Sequence, residues 1–241
     1  MDFITLLIKK EQFNPGFFGI FTNPFYFSRR GLFLATSELG KNLNGKLLDV
    51  GCGTKPYEPY IAVNHYVGLE IDSERSRMTS KAEFFYDGKT FPFKNEEFDS
   101  VLANEVFEHV FNPTEFLTEV NRVLKMDGKL LLTVPFVWDE HEQPYDYARY
   151  TSFGLKYILE RHGFEIVQHK KSVTSARVIF QLINEFIYKK TYVENTVMRQ
   201  IVSTLLISPF TILGILISAV LPSNEDLYLD NIVLAKKVKD V

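Results

Sequence analysis

Apolar and polar positions follow two different periods through the middle of this chain. Lys46–Val50, Tyr66–Ile71, Glu83–Tyr86, Phe98–Ala103, Lys129–Val134 and Phe164–Lys170 are short apolar runs bounded by Gly, Asp or Glu, the pattern of buried strands. Between them the apolar positions recur every three or four residues. In 28–42, Leu32, Phe33, Leu34 and Leu39 predict a helix that Ser28 caps and Gly45 ends. In 113–125, Phe116, Leu117, Val120, Val123 and Leu124 share one helical face, with Gly128 expected as the cap before the next strand. A further helix is expected to start at Asn104, and Thr151–His162 reads as a helix capped by Thr151 and left through Gly163. Strands alternating with helices at this spacing predict an α/β fold, a doubly wound and mostly parallel sheet covered on both faces.

In such sheets ligands bind beyond the carboxyl ends of the strands, at the point where the strand order reverses. The residues that carry chemistry here fall at those ends: Gly51–Gly53, Glu70, Asp87, Asn104 and the segment after Val134. Leu47-Leu48-Asp49-Val50-Gly51-Cys52-Gly53 is an apolar strand entering a Gly-x-Gly turn, where missing Cβ atoms let the backbone bend and approach a ligand. Glu70, closing the next strand, suits the two hydroxyls of an adenosine ribose. A dinucleotide fingerprint would place a third glycine at position 56, but the chain has Pro56 after Lys55. The turn therefore favours an adenosine ligand without a pyrophosphate. By the residues alone Cys52 is a small packing residue and not a nucleophile, and Asp87-Gly88 is also an ordinary turn dipeptide.

These segments resemble class I S-adenosylmethionine-dependent methyltransferases of the type 11 kind. LLDVGCGTKPY (47–57), YVGLEID (66–72), YDGKTFPFKNEEFDSVLANEVFEHV (86–110) and NPTEFLTEVNRVLKMDGKLLLTVPF (112–136) resemble that family's ordered motifs, and Tyr228–Lys236 its last strand. The resemblance implies a Rossmann-like sheet with an antiparallel last strand and S-adenosylmethionine as cofactor. It assigns Asp49, Gly51 and Gly53 to the methionine end, Glu70 to the ribose, Asp87 and Gly88 to the adenine, and Asn104 and Glu105 to the cleft below the sulfonium, with Cys52 and Ile71 among the cofactor contacts. Lys55 stands where the family has another glycine, which leaves the shape of the turn open.

Residues 135–154 (PFVWDEHEQPYDYARYTSFG) crowd polar and aromatic groups above a strand end, as a pocket for a polar acceptor would; Tyr145, Asp146, Arg149 and Tyr150 are the candidate substrate contacts. The "EH…PYDY.RYT" stretch resembles methyltransferases encoded with bacterial surface polysaccharides, which implies a sugar or glycolipid acceptor. A hydroxyl acceptor needs a base, and histidine suits neutral pH; His141 is the first candidate and His109 the second, each with a structural role as the alternative. Asp139, His141 and Glu142 have no defined ligand spacing, so no metal is expected.

Composition narrows the rest. The 241 residues are 46% apolar with 22 Phe and one Cys, which excludes a disulfide framework or a Cys-cluster zinc site. A net charge of -3 argues against nucleic acid as a partner. The apolar run Phe3–Ile8 is short for a signal peptide and lacks a basic stretch before it, so the expected compartment is the cytoplasm. Ile201 to Asn224 carries no charge and is long enough to span a bilayer. A single crossing would strand the last strand on the far side of the membrane, which leaves three placements: two short helices broken at Pro209 and buried, a homodimer interface, or a patch in one leaflet at the inner membrane face, where Lys189, Lys190 and Arg199 suit anionic lipid. The expected layout is a leader and helix over 1–45, a core over 46–171 and 227–237, and a helical apolar insertion over 172–224. The rivals to a methyltransferase are a nicotinamide-dependent oxidoreductase on a similar sheet and a non-catalytic interaction or membrane-docking module.

Overall fold

The computed structural model describes residues 10–241; the N-terminal run Phe3–Ile8 lies outside them. Seven strands form one sheet: β1 Lys46–Val50, β2 His65–Ile71, β3 Phe84–Tyr86, β4 Phe98–Asn104, β5 Leu124–Pro135, β6 Phe164–Thr174 and β7 Tyr228–Lys237, in the order β3-β2-β1-β4-β5-β7-β6. The pairs β3–β2, β2–β1, β1–β4 and β4–β5 are parallel, and β7 runs antiparallel to β5 with Leu131 opposite Leu234. This is the Rossmann-like, doubly wound sheet that the residues predict. The order reverses between β1 and β4, so the carboxyl ends of those two strands open the crevice.

Besides a single helical turn at Gly19–Thr22, the helices are α1 Tyr26–Gly40, α2 Glu74–Thr79, α3 Pro113–Val123, α4 Ser152–Arg161, α5 Ala176–Lys190, α6 Thr196–Val202 and α7 Ser208–Val220 among the described residues. Among the described residues the chain divides into two compact units, residues 10–34 with 171–229 and residues 35–170 with 230–241, so the described part of the leader and the insertion fall in one unit. In the second unit, Leu48, Val50, Val101, Ala103, Leu130 and Leu132 of the central strands pack with Phe116, Leu117 and Val120 of α3, all nearly inaccessible to water.

Four local expectations are corrected. Ser28 lies inside α1 and does not cap it; Gln181 Oε1 instead accepts the free amides of Phe27 and Ser28 at 3.1 and 3.4 Å. Asn104 ends β4 and starts no helix, because Glu105 takes a left-handed φ of 54° and only one 3₁₀ turn, Phe107–His109, follows before Asn112 and Pro113 open α3. Gly128 caps nothing. It lies within β5, at a register shift where Asp127 has φ 62° and a Cβ on Gly128 would lie 2.7 Å from the Lys125 carbonyl. Pro209 does not break the insertion into two helices. One π turn, Ser203–Ile207, precedes α7, and the Ser208 hydroxyl donates to the Thr204 carbonyl at 2.5 Å, a carbonyl that a π-type bond from the missing Pro209 N–H would otherwise meet. Residues Thr196–Val220 thus run as one helical stretch long and apolar enough to cross a membrane.

Candidate functional site

The cofactor turn follows from three residues in the left-handed region. Gly51, Gly53 and Lys55 have φ of 68°, 47° and 55°. A Cβ on Gly51 would meet Val106 Cγ2 at 2.3 Å, so only glycine fits; around Gly53 nothing lies within 4 Å of the Cβ position, which leaves that side of the turn open to a ligand. Lys55 keeps the backbone shape that another glycine would take. Its buried ammonium pairs with Glu83, whose other oxygen accepts the Gly68 amide at 2.6 Å. The turn is closed from behind by Gly51 N–H and Cys52 N–H, which donate to the Leu69 carbonyl at 2.8 and 3.2 Å.

Asp49, Gly51, Gly53, Thr54, Tyr57 and Asn104 line a cleft of about 250 Å³ at the β1 and β4 ends. Glu70 accepts the Gly53 amide at 3.0 Å and the Ile71 amide at 3.1 Å, which fixes its carboxylate beside the turn. Ile71 Cδ1 lies 3.6 Å from where a Gly88 Cβ would stand, so β2 and the Asp87-Gly88 turn meet. The Asp87 carboxylate accepts the Lys89 and Thr90 amides at 2.9 and 3.0 Å, and those two donors hold it below the usual carboxylate range. Burial pushes the Cys52 thiol up to about 12, reinforced by the Asp49 charge, so it stays protonated and packs.

Two supporting groups had no signal in the spacing. Thr133 of β5 has its hydroxyl 2.9 Å from the Glu105 amide, 2.8 Å from Glu105 Oε1 and 3.1 Å from Asn104 Oδ1, holding the pair that ends β4. Tyr66 donates to Asp49 Oδ2 at 2.6 Å. Asp49 is 3% exposed, and burial raises its carboxyl to about 7 against the lowering effect of that hydrogen bond. A buried carboxylate of this kind is completed by a cationic ligand. S-adenosylmethionine fits on that ground: it carries a positively charged methionine end for Asp49 and ribose hydroxyls for Glu70.

The loop after β5 folds differently from the picture of free substrate contacts. Arg149 grips Asp146 with both nitrogens at 2.5 and 2.6 Å and also donates to the Asp139 and Ala148 carbonyls at 2.8 Å, so these two side chains brace the loop. Burial raises the Asp146 carboxyl, but Arg149 and the His141 amide outweigh it and hold it at about 2. Tyr150 stacks on Phe107 at 4.9 Å, and Tyr145 is exposed. His109 and His141 come together edge to face with 4.8 Å between ring centroids. Beside them lies Glu108, which the sequence reading did not single out. It is fully buried, neither oxygen has a hydrogen-bond partner, and burial raises its carboxyl to about 8.

Residues 48–132 match the sequence model of the family described as "Methyltransferase domain". They form a methyltransferase domain. That assignment sets aside the nicotinamide alternative. An uncharacterized protein MJ1123 of Methanocaldococcus jannaschii is 26% identical over 161 residues, which cover 65% of this chain and 71% of that protein. The O-methyltransferase rstn1 of Aspergillus nomiae is 26% identical over 161 residues, covering 55% of this chain and 72% of its own. Among solved structures, the phosphoethanolamine N-methyltransferase 2 of Haemonchus contortus, in complex with phosphomonomethylethanolamine and S-adenosylhomocysteine, shares the fold at a TM-score of 0.57. It is 17% identical, and the match covers 99% of this chain and 61% of that one.

Proposed function

We propose that the protein transfers a methyl group from S-adenosylmethionine to an oxygen of a small polar acceptor, a sugar or the headgroup of a glycolipid. The observation that carries this reading is the placement of a buried, cation-seeking Asp49 and a fixed Glu70 at the β1 and β2 ends, with a His109–His141 pair after β4 and β5 of the same unit. When bound, the cofactor supplies an electrophilic methyl on a sulfonium whose leaving thioether is neutral. Asp49 holds the cationic methionine end, Glu70 with Ile71 the ribose, Asp87-Gly88 the adenine edge, and Asn104 with Glu105 line the floor below the reacting atoms. The bound cofactor would supply the methyl for a new acceptor C–O–CH₃ linkage, with the electron pair of its methyl–sulfur bond left on sulfur. Where an imidazole Nε2 of the pair is free, it takes the proton of the acceptor hydroxyl. Alignment of the two reactants supplies much of the rate.

Calorimetry with S-adenosylhomocysteine tests the cofactor half. Wild-type protein should bind, and Glu70→Ala should weaken binding about 10- to 100-fold, the equivalent of on the order of 1–3 kcal/mol for a lost polar contact. Absence of binding in the wild type overturns the reading.

The insertion favours one leaflet of a membrane as the working place, at the inner face of the cell membrane. Along Thr196–Val220 the buried positions are Ser203, Ile207, Ser208, Thr211 and Gly214, while Leu205, Leu206, Leu213, Leu216 and Val220 are exposed. Small and polar side chains face inward, where Thr211 meets Asn184 at 2.9 Å and Gly214 backs onto Phe180, and large apolar ones face outward. That is the reverse of a water-facing helix and suits acyl chains outside and close packing inside. Lys189, Lys190 and Arg199 nearby in sequence supply attraction to anionic headgroups. In flotation with phosphatidylglycerol vesicles the wild type should rise with lipid, and Leu205→Glu with Leu216→Glu should stay at the bottom. A wild type that remains in solution with such vesicles, monomeric or dimeric, removes lipid as the occupant.

A further inference from the structure

We propose that Glu108, His109 and His141 are the ligands of a divalent first-row transition-metal ion. Their donor atoms lie within 4.8 Å of one another, a grouping built from one end of β4 and one loop after β5. The assignment rests on where the protons go. His109 Nδ1 lies 2.7 Å from the Tyr145 carbonyl, an acceptor only, so that nitrogen carries the ring's proton. His141 Nδ1 lies 3.2 Å from Asp146 Oδ2, 3.3 Å from the Asp139 carbonyl and 3.5 Å from Arg149 Nη2; the two oxygens are the nearer neighbours and both accept, which places the proton on that nitrogen. Both Nε2 atoms therefore present lone pairs. They stand 3.7 and 3.9 Å from Glu108 Oε1, which also presents lone pairs and is fully buried with no hydrogen bond.

With Glu108 ionised, three lone-pair donors face one another with no hydrogen between them and repel. The two separations from Glu108 are too long for hydrogen bonds, yet shorter than two metal–ligand bonds of about 2.1 Å laid end to end. A cation between them resolves both facts. Two imidazoles and one carboxylate are the donor set of zinc and of non-haem iron sites, and nitrogen donors disfavour magnesium and calcium. The outer contacts fit as well: each imidazole donates its remote N–H to a carbonyl or carboxylate, the usual support of a metal-bound histidine. Asp230 and Asp146 add negative charge around Glu108 against the single positive charge of Arg149. In the sequence Asp139, His141 and Glu142 have no defined ligand spacing, and no metal is expected from them. The fold replaces the two carboxylates by Glu108 and adds His109.

Binding of the ion is independent of the methyl-transfer reading, while its use rests on that reading. With the ion in place the imidazoles are ligands rather than bases, and the acceptor hydroxyl, coordinated at an open position, loses its proton to water because the cation has lowered its pKa.

The test is a Co²⁺ titration of the full chain without an affinity tag and without S-adenosylmethionine, followed by elemental analysis of Zn²⁺ after dialysis. One ion per chain and visible ligand-field bands are expected. His141→Ala and Glu108→Gln should each weaken Co²⁺ binding by more than about 100-fold, Asp146→Asn by about 10- to 100-fold, and His65→Ala, on the exposed start of β2, should change nothing. Because Glu108 and His141 are packed and their variants can unfold, proton NMR of the Co²⁺-loaded wild type gives an independent reading: two hyperfine-shifted, exchangeable imidazole N–H signals are expected. No ion in the wild type, equal uptake by the variants, or absence of the shifted pair overturns the site, whether or not S-adenosylhomocysteine binds.

Discussion

Asp49→Asn should raise the melting temperature at pH 8 while weakening S-adenosylmethionine binding. In the folded chain the Asp49 carboxyl sits at about 7, well above its ordinary 3.8, because burial penalises the charge. The native state therefore binds more protons than the unfolded state between about pH 4 and 7, so stability falls as pH rises through that window and is flat above it. A shift of this size corresponds to on the order of 4 kcal/mol of native-state cost at pH 8. Asparagine keeps an acceptor for the Tyr66 hydroxyl and carries no charge, so the variant should lose this pH dependence and melt higher at pH 8. The same substitution removes the partner of a cationic ligand. Cofactor affinity of the wild type should strengthen by up to tenfold per pH unit from pH 5 to 7 and then level off, because the ligand selects the ionised carboxylate. In Asp49→Asn it should be weak throughout, by about 10- to 100-fold relative to the wild type at pH 8. Thermal melts across pH 5–8 with calorimetry at each pH check both halves. A wild type with flat melting and flat affinity refutes the assignment of Asp49.

Gly51→Ala should cost more than any other single methyl in the cofactor turn. The residue is at φ 68°, and its new Cβ would stand 2.3 Å from Val106 Cγ2. The left-handed backbone contributes about 1–2 kcal/mol and the collision about 1–3 kcal/mol. Val106 follows Glu105 at the end of β4, so relief of the clash moves the second wall of the cleft. Chemical denaturation should show a loss of about 2–5 kcal/mol with cofactor binding abolished. Adding Val106→Ala removes the collision but leaves the backbone strain, so it should restore part of the stability. Gly53→Ala, with no neighbour near its Cβ, should cost only the backbone part. Equal losses in Gly51→Ala and Gly53→Ala would show that the collision with Val106 is relieved without cost.

Most of the sheet was legible because each strand is a run of apolar residues ended by a residue that cannot continue it. Leu47–Val50 into Gly51 and Phe98–Ala103 into Asn104-Glu105 are cases where composition and backbone agree. The misplaced ends share a cause. Gln181 replaces Ser28 as the cap of α1 from more than 150 residues away, the Gly128 bulge is set by pairing with β4, and Pro209 is accommodated by one turn of wider helix. None of these is a local property. The candidate cofactor residues carry the same signal as the strands: Asp49, Gly51, Gly53 and Glu70 sit where a strand stops. Lys55 could not be judged from the sequence, because its left-handed turn depends on Glu83 and on space beside Gly68.

By itself the sequence determined the strand and helix set, the doubly wound order of the middle of the chain, and the crevice at the β1 and β4 ends, since these follow from hydrophobic period and from glycine at turns. It also marked the apolar run after Ile201 as out of place for a water-facing surface. The tertiary structure decided which polar groups work together. It spent Asp146 and Arg149 on each other, brought His109 and His141, 32 positions apart in the chain, to within one ring contact, and buried Glu108 between them. It also turned the small residues of Thr196–Val220 inward and the large ones outward. Spacing along a chain states what can share a strand or a helical face. Which lone pairs meet, and which side of a helix is covered, depends on contacts between distant segments, and those exist only once the chain has folded.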